Sequence, residues 1–169
     1  MREVTPSSWH IHLIDFDDPS DVAALTHLIE QHRLAMRATA PLESQHALDL
    51  SGLQQPHVRV WGLREAGVMI GCGALAALDA THAEVKSMRT DRAHLRRGVA
   101  ASMLQHLITE AQASGFTQLS LETGSMDYFI AARALYSRHG FIECGPFADY
   151  IEDPNSVYMT LSLSAQTKP

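Results

Sequence analysis

A chain of 169 residues suits one domain with a sizeable core. Apolar residues make up 46% of it, which excludes a disordered chain. A formal net charge of -6 argues against a general nucleic-acid binder, which needs a broad basic face, yet leaves room for a local basic pocket. Cys72 and Cys144 provide neither a disulfide framework nor metal-ligand spacing, and their apolar surroundings suggest small core residues. The scattered histidines and the lack of a His-Glu-x-x-His pattern give no expectation of a metal. No apolar signal core opens the chain, and no run approaches the ~18 apolar residues that span a bilayer. The expectation is a cytoplasmic protein with no membrane partner.

Trp9–Phe16 alternates and predicts a first strand. Asp18 and Pro19 then open a helix whose Val22, Leu25, Leu28 and Ile29 fall at helical spacing. Thr39–Pro56 reads as a polar, partly helical connection. Two strands flank the hairpin signal Glu65-Ala66-Gly67. His82–Thr90 is a further strand, expected to show Val85 on one face and Glu84, Lys86 and Met88 on the other. Val99, Met103, Leu104, Leu107 and Ile108 form the apolar face of a helix that Gly115 stops. Phe116–Thr123 is a strand, Tyr128–Phe141 a short helix ended by Gly140, and Ser156–Leu163 the last strand. The fold class is α/β, a mixed sheet with helices on its faces.

The run "HLRRGVAASML" (His94–Leu104) carries the first chemistry. A strand feeds a short loop, and the loop feeds a helix whose first amides have no partner within it and carry the positive end of its dipole. Gly98 leaves the approach open, Val99 and Ala100 keep the turn compact, and Arg96 and Arg97 add charge. These features suit a pyrophosphate, and an ordinary basic helix start remains the alternative. Two basic residues there oppose the dipole by ~0.3–1 kcal/mol each, a conflict that a bound anion removes. The spacing matches neither a nucleotide P-loop nor a dinucleotide fingerprint.

Leu95–Ala100 resembles the acyl-CoA signature of the GCN5-related N-acetyltransferases, Arg/Gln-x-x-Gly-x-Gly/Ala, with Gly98 and Ala100 matching and Leu95 departing. Ala132–Phe141 resembles the same family's Asn-x-x-Ala-x-x-Leu-Tyr-x-x-x-Gly-Phe. Ala132, Leu135, Tyr136, Gly140 and Phe141 match, and Phe129 stands at the Asn position. Order and separation agree as well, and the end of the chain is similar to a bacterial subgroup of these enzymes. The resemblance implies one domain over residues 1–169 with its acyl-CoA core at about 82–142. It further implies a mostly antiparallel central sheet, helices on both faces and a strand splay at the cofactor site.

Acetyl-CoA is then the implied cofactor, and a primary amine on a small-molecule or amino-acid-like acceptor the implied target, attacked directly in a ternary complex. The resemblance makes Tyr136 the acid for the departing thiolate, since a phenol keeps its proton at neutral pH. It makes Glu84 the base, directly or through water. Met88, Arg89 and Thr90 would bind pantetheine through the backbone, with the Met88 amide on the thioester carbonyl. Arg96, Arg97, Gly98, Val99, Ala100 and Ala101 would enclose the pyrophosphate, and Thr123, Ser125 and Phe129 could touch cofactor or acceptor. Arg33 and Arg37, four apart on the first helix, could grip an acceptor carboxylate or form a solvated basic face. Asp149 and Tyr150 could wall the pocket. A homodimer through the late strands is a further implication. A non-catalytic acyl-CoA-binding module and a protein N-acetyltransferase stay open as alternatives.

Overall fold

The computed structural model describes residues 8–36 and 49–164. Its elements are β1 (Trp9–Leu13), α1 (Pro19–Met36), α2 (Leu50–Leu53), β2 (Val58–Glu65), β3 (Val68–Ala77), β4 (His82–Thr90), α3 (Val99–Ala113), β5 (Gln118–Gly124), α4 (Ile130–Arg138), β6 (Ile142–Cys144) and β7 (Ser156–Ser162). β1 ends earlier than its alternation predicts. Asp15 takes the chain into a turn, with the Asp18 amide on the Asp15 carbonyl and the Asp17 amide on its carboxylate. α4 starts later than predicted, because Asp127–Phe129 first makes a 3-10 turn. The hairpin between β2 and β3 has a two-residue loop, Ala66 at φ +50° and Gly67 at φ +82°. Positive φ at both positions matches the twist of the flanking strands.

The strands form one sheet in the order β1-β2-β3-β4-β5-β7-β6, antiparallel throughout except between β4 and β5. α3 and α4 cover one face, where Val85, Val99, Met103, Leu104, Leu107, Leu119 and Leu121 are buried together. Truncating one such leucine to alanine costs about 2–5 kcal/mol. α1 and α2 cover the other face, over Val60, Met69, Cys72, Ala74 and Ala76. Cys72 belongs to that core, whereas Cys144 is only half-buried, on the edge strand β6.

The start of α1 is fixed by charge. The Asp21 carboxylate accepts from the Asp15 amide at 3.0 Å and from Arg64 Nη2 at 2.7 Å, and lies 3.1 Å from His12 Nε2. Burial raises its pKa, but the bonds from Asp15, Arg64 and His12 outweigh that and lower it to about 2.

Two irregularities of β4 shape the middle of the sheet. Its parallel ladder with β5 holds three pairs, His82↔Gln118, Ala83↔Leu119 and Glu84↔Ser120, and then stops. Beyond Glu84 the two strands continue without pairing, which is the expected splay. The second irregularity is a bulge against β3, where Ala74 pairs with Lys86 but Cys72 pairs with Arg89. Ser87, at φ +55°, absorbs the extra residue, and its carbonyl accepts the Cys72 thiol at 3.3 Å.

The bulge corrects the expected face assignment. Glu84 and Lys86 lie opposite Ala76 and Ala74, on the α1 face. Met88 instead joins Val85 on the α3 face and packs against that core. Arg89, opposite Cys72, returns to the α1 face.

Candidate active site

The splay opens a cleft of about 630 Å³ between β4 and β5, and residues from both faces of the sheet line it. That is the size of a small-molecule site.

On the α3 side the cleft is built largely from backbone. β4 leads through Asp91, whose amide is held by the Ile70 carbonyl. The Asp91 carboxylate holds the following turn by accepting from Gln31 and the Ala93 amide and pairing with His94. The loop passes through two left-handed residues, Arg96 at φ +63° and Gly98 at φ +86°, and Gly98 caps α3 with no side-chain cap bond. The first intrahelical bond runs from the Ser102 amide to the Gly98 carbonyl, so the amides of Val99, Ala100 and Ala101 precede the ladder. Nothing lies within 4 Å of where a Gly98 Cβ would point. At Gly71 a Cβ would stand 2.6 Å from Val99, so that glycine brings α3 close to β3. An open, uncapped helix start at the mouth of the cleft fits a pyrophosphate.

Leu95, Arg96, Gly98, Val99, Ala100 and Ala101 all line this region. Arg97 is not among the residues that line it. Its guanidinium forks onto Glu65, at 2.7 and 3.1 Å, and lies 5.9 Å from the centre of the Trp9 ring. Any part Arg97 has in the site falls to its backbone.

Deeper on the same face lie Met88, Thr90, Thr123, Phe129 and Tyr136. The Phe129 ring occupies the space over Gly124 that a Cβ there would need, and the Tyr128 ring meets it edge-on. Phe129 thus closes the end of β5 as a buried ring. Ser125 turns elsewhere, its hydroxyl donating to the Pro154 carbonyl at 2.7 Å. Tyr136 is 7% exposed on α4, edge-on to Phe141, and burial pushes its phenol up to about 12. Arg89 pulls that value down and Glu122 pushes it up. Tyr136 therefore carries its proton at neutral pH.

The α1 side is a network of side chains. Glu84 Oε2 accepts from Tyr150 Oη at 2.6 Å and Lys86 Nζ at 3.1 Å, and Lys86 also donates to Tyr150 at 3.1 Å. The three groups close a triangle that brings the late loop over the cleft. Glu122 enters from β5 across the splay. Burial pushes its carboxyl up to about 7, with Ser156 and Lys86 pulling it down and Glu84 and Asp153 pushing it up. From α1 comes His32, pulled down to about 3 by burial and then by the charge of Arg89. It is a neutral imidazole. Arg89 is half-buried here, and its Nη1 donates to the Met88 carbonyl at 2.7 Å. Arg33 is exposed and sits with Glu30 at 3.4 Å, and Arg37 lies outside the described residues.

Two polar groups of the cleft, Glu122 and His32, and one contact between expected residues escape the sequence reading. Glu122 has a local signal: Leu119 and Leu121 alternate with Ser120 and Glu122, which places a carboxylate on a covered sheet face. His32 extends the apolar spacing of Leu25, Leu28 and Ile29. The bond from Tyr150 to Glu84 joins residues 66 apart and has no local signal. Among the described residues no helix is long and apolar enough to cross a membrane.

The comparisons with known proteins agree with this geometry. The family model of the acetyltransferase (GNAT) family matches residues 23–141. The uncharacterized N-acetyltransferase YsnE of Bacillus subtilis is 52% identical over 136 residues, spanning 80% of this chain and 90% of its own. The IAA acetyltransferase of Azospirillum brasilense is 36% identical over 141 residues, spanning 83% and 91%. In fold, the chain is similar to a GNAT family acetyltransferase from Elizabethkingia anophelis solved with acetyl-CoA bound. Its TM-score is 0.65 at 16% identity, covering 92% of this chain and 99% of that one.

Proposed function

From the premise that the chain belongs to the acetyltransferase (GNAT) family and is an N-acetyltransferase that uses acetyl-CoA, we propose that its acceptor is the primary amine of a small-molecule or amino-acid-like compound, attacking directly in a ternary complex. One observation carries the reading. The splay between β4 and β5 puts uncapped helix amides, a protonated phenol and a carboxylate with raised pKa into one cleft.

When bound, acetyl-CoA supplies an acetyl group activated as a thioester. The amides of Val99, Ala100 and Ala101 hold the pyrophosphate, and Arg96 adds charge at the rim. The unpaired edge of β4 at Met88, Arg89 and Thr90 receives the pantetheine chain, and the Met88 amide polarises the carbonyl to be attacked. Thr123 and Phe129 close the end of the channel.

The acceptor enters as an ammonium and has to lose a proton. Glu122, raised to about 7, is a better base for that than an ordinary carboxylate and is still substantially ionised at neutral pH. Glu84, engaged by Lys86 and Tyr150, acts on Glu122 as a positioning charge and holds the late loop over the site. In this reading the base is Glu122 on β5, in place of the expected Glu84 on β4. Tyr136 Oη gives its proton to the leaving sulfur.

Thiol release over a panel of amines, with products read by mass spectrometry, tests the reading. Small primary amines should gain one acetyl group, with kcat/KM rising with pH through about 7 as Glu122 loses its proton. Acetylation confined to protein or peptide amines would move the acceptor to another class.

A further inference from the structure

We propose that Arg89 is the receptor for a carboxylate on the acceptor, so that the substrates are small amines that also carry a carboxylate. The inference rests on the cleft being the site of acetyl transfer and adds the acceptor's second functional group.

The bulge at Ser87 puts the Arg89 side chain on the α1 face, in the cleft beside the polar network. A guanidinium has five donors in a fixed fork. The structure gives Arg89 one protein acceptor, the neutral Met88 carbonyl at 2.7 Å. Among the described residues no carboxylate oxygen lies within 4 Å of it. A half-buried cation with no carboxylate in contact is costly.

The other cations nearby are differently placed. Lys86 already holds Glu84, and Arg92, Arg96 and Arg138 line the cleft as exposed side chains. His32, the α1 group that feels the charge of Arg89, is neutral and does not balance it. Arg89 is therefore the inner cation of the cleft left with donors to spare, and a planar carboxylate matches its fork. The charge of Glu122 across the splay favours the ionised form of Arg89. An acceptor with its amine towards Glu122 and its carboxylate towards Arg89 would satisfy both.

The test uses the full chain, acetyl-CoA and matched probes: L-α-amino acids and β-alanine, each against its carboxamide. Rates are corrected for the fraction of free amine, because carboxamides have less basic amines. At least one pair should favour the free acid by about 10- to 100-fold in kcat/KM, the loss expected for a charge-assisted hydrogen bond. Arg89→Gln should bring that ratio close to one through the acceptor's KM, while the calorimetric Kd for acetyl-CoA changes less than about 3-fold. Arg89→Lys should recover part of the preference, as charge without the fork.

Turnover of the carboxamides as fast as the acids overturns the carboxylate assignment and leaves the acetyltransferase reading standing. Arg89→Gln weakening acetyl-CoA as much as the acceptor also overturns it, by giving Arg89 to the cofactor. Absence of thiol release with every amine of both sets overturns the acceptor class as well. If Arg89→Gln fails to fold, the acid-to-carboxamide ratio of the unaltered protein decides.

Discussion

The two walls of the cleft are made differently. The α3 wall works through backbone: a left-handed Gly98, the uncapped amides behind it and an unpaired strand edge. The α1 wall works through side chains that meet from distant parts of the chain: Glu84 and Lys86 from β4, Glu122 from β5, His32 from α1 and Tyr150 from the late loop. A wall whose contacts come from backbone amides tolerates change in its side chains, such as Leu95 in place of Arg or Gln. A side-chain wall is altered by single substitutions, so it can set which amine is accepted while the other wall keeps the shared cosubstrate.

The largest effect that separates the walls should come from Gly98→Glu. At φ +86° a non-glycine residue carries roughly 1–2 kcal/mol of strain, and the new carboxylate would repel an anion at the uncapped start of α3. Acetyl-CoA affinity by calorimetry should fall more than about 100-fold, while thermal unfolding stays cooperative. Next comes Tyr136→Phe, which removes one hydroxyl and little packing. Stopped-flow thiol release should show kcat lower by about 100-fold with acetyl-CoA affinity nearly unchanged. A parallel loss of affinity would mean that Tyr136 holds the cofactor.

The α1 wall is divided by a pair of variants. Glu122→Gln should lower kcat/KM by about 10- to 100-fold and erase the rise in activity near pH 7. Glu84→Gln should be milder and move that rise to lower pH, because removing its negative charge relieves the upward push on Glu122. If Glu84→Gln erases the rise and Glu122→Gln keeps it, the two roles are exchanged. The smallest effect belongs to Arg97→Ala. With the guanidinium committed to an exposed pair with Glu65, acetyl-CoA affinity should shift by less than about 3-fold.

Legibility in the sequence follows the same division. Gly67, Gly98, Gly115 and Gly140 all have positive φ, and each was readable from its neighbours as a turn or helix boundary. Tyr136 was readable from the motif around it. The splay between β4 and β5 was expected only from a resemblance, since neither sequence interrupts its own pattern there. The bulge was hidden because Ser87 takes a left-handed conformation with no glycine or asparagine to mark it. The partners of Arg97 and Glu84 were hidden by distance, lying 32 and 66 residues away along the chain.

Ser87 gives β4 a change of parity. Before it, even-numbered residues look towards α1, and after it odd-numbered ones do. One strand can therefore keep methionine in the core beneath α3 and still return arginine to the opposite side one step later. Removing a single residue at that point would reverse the arrangement downstream, driving the guanidinium of Arg89 into hydrocarbon and turning the Met88 thioether towards α1. The alternation of β4 thus acts as a reading frame, and Ser87 is the insertion that keeps it in phase.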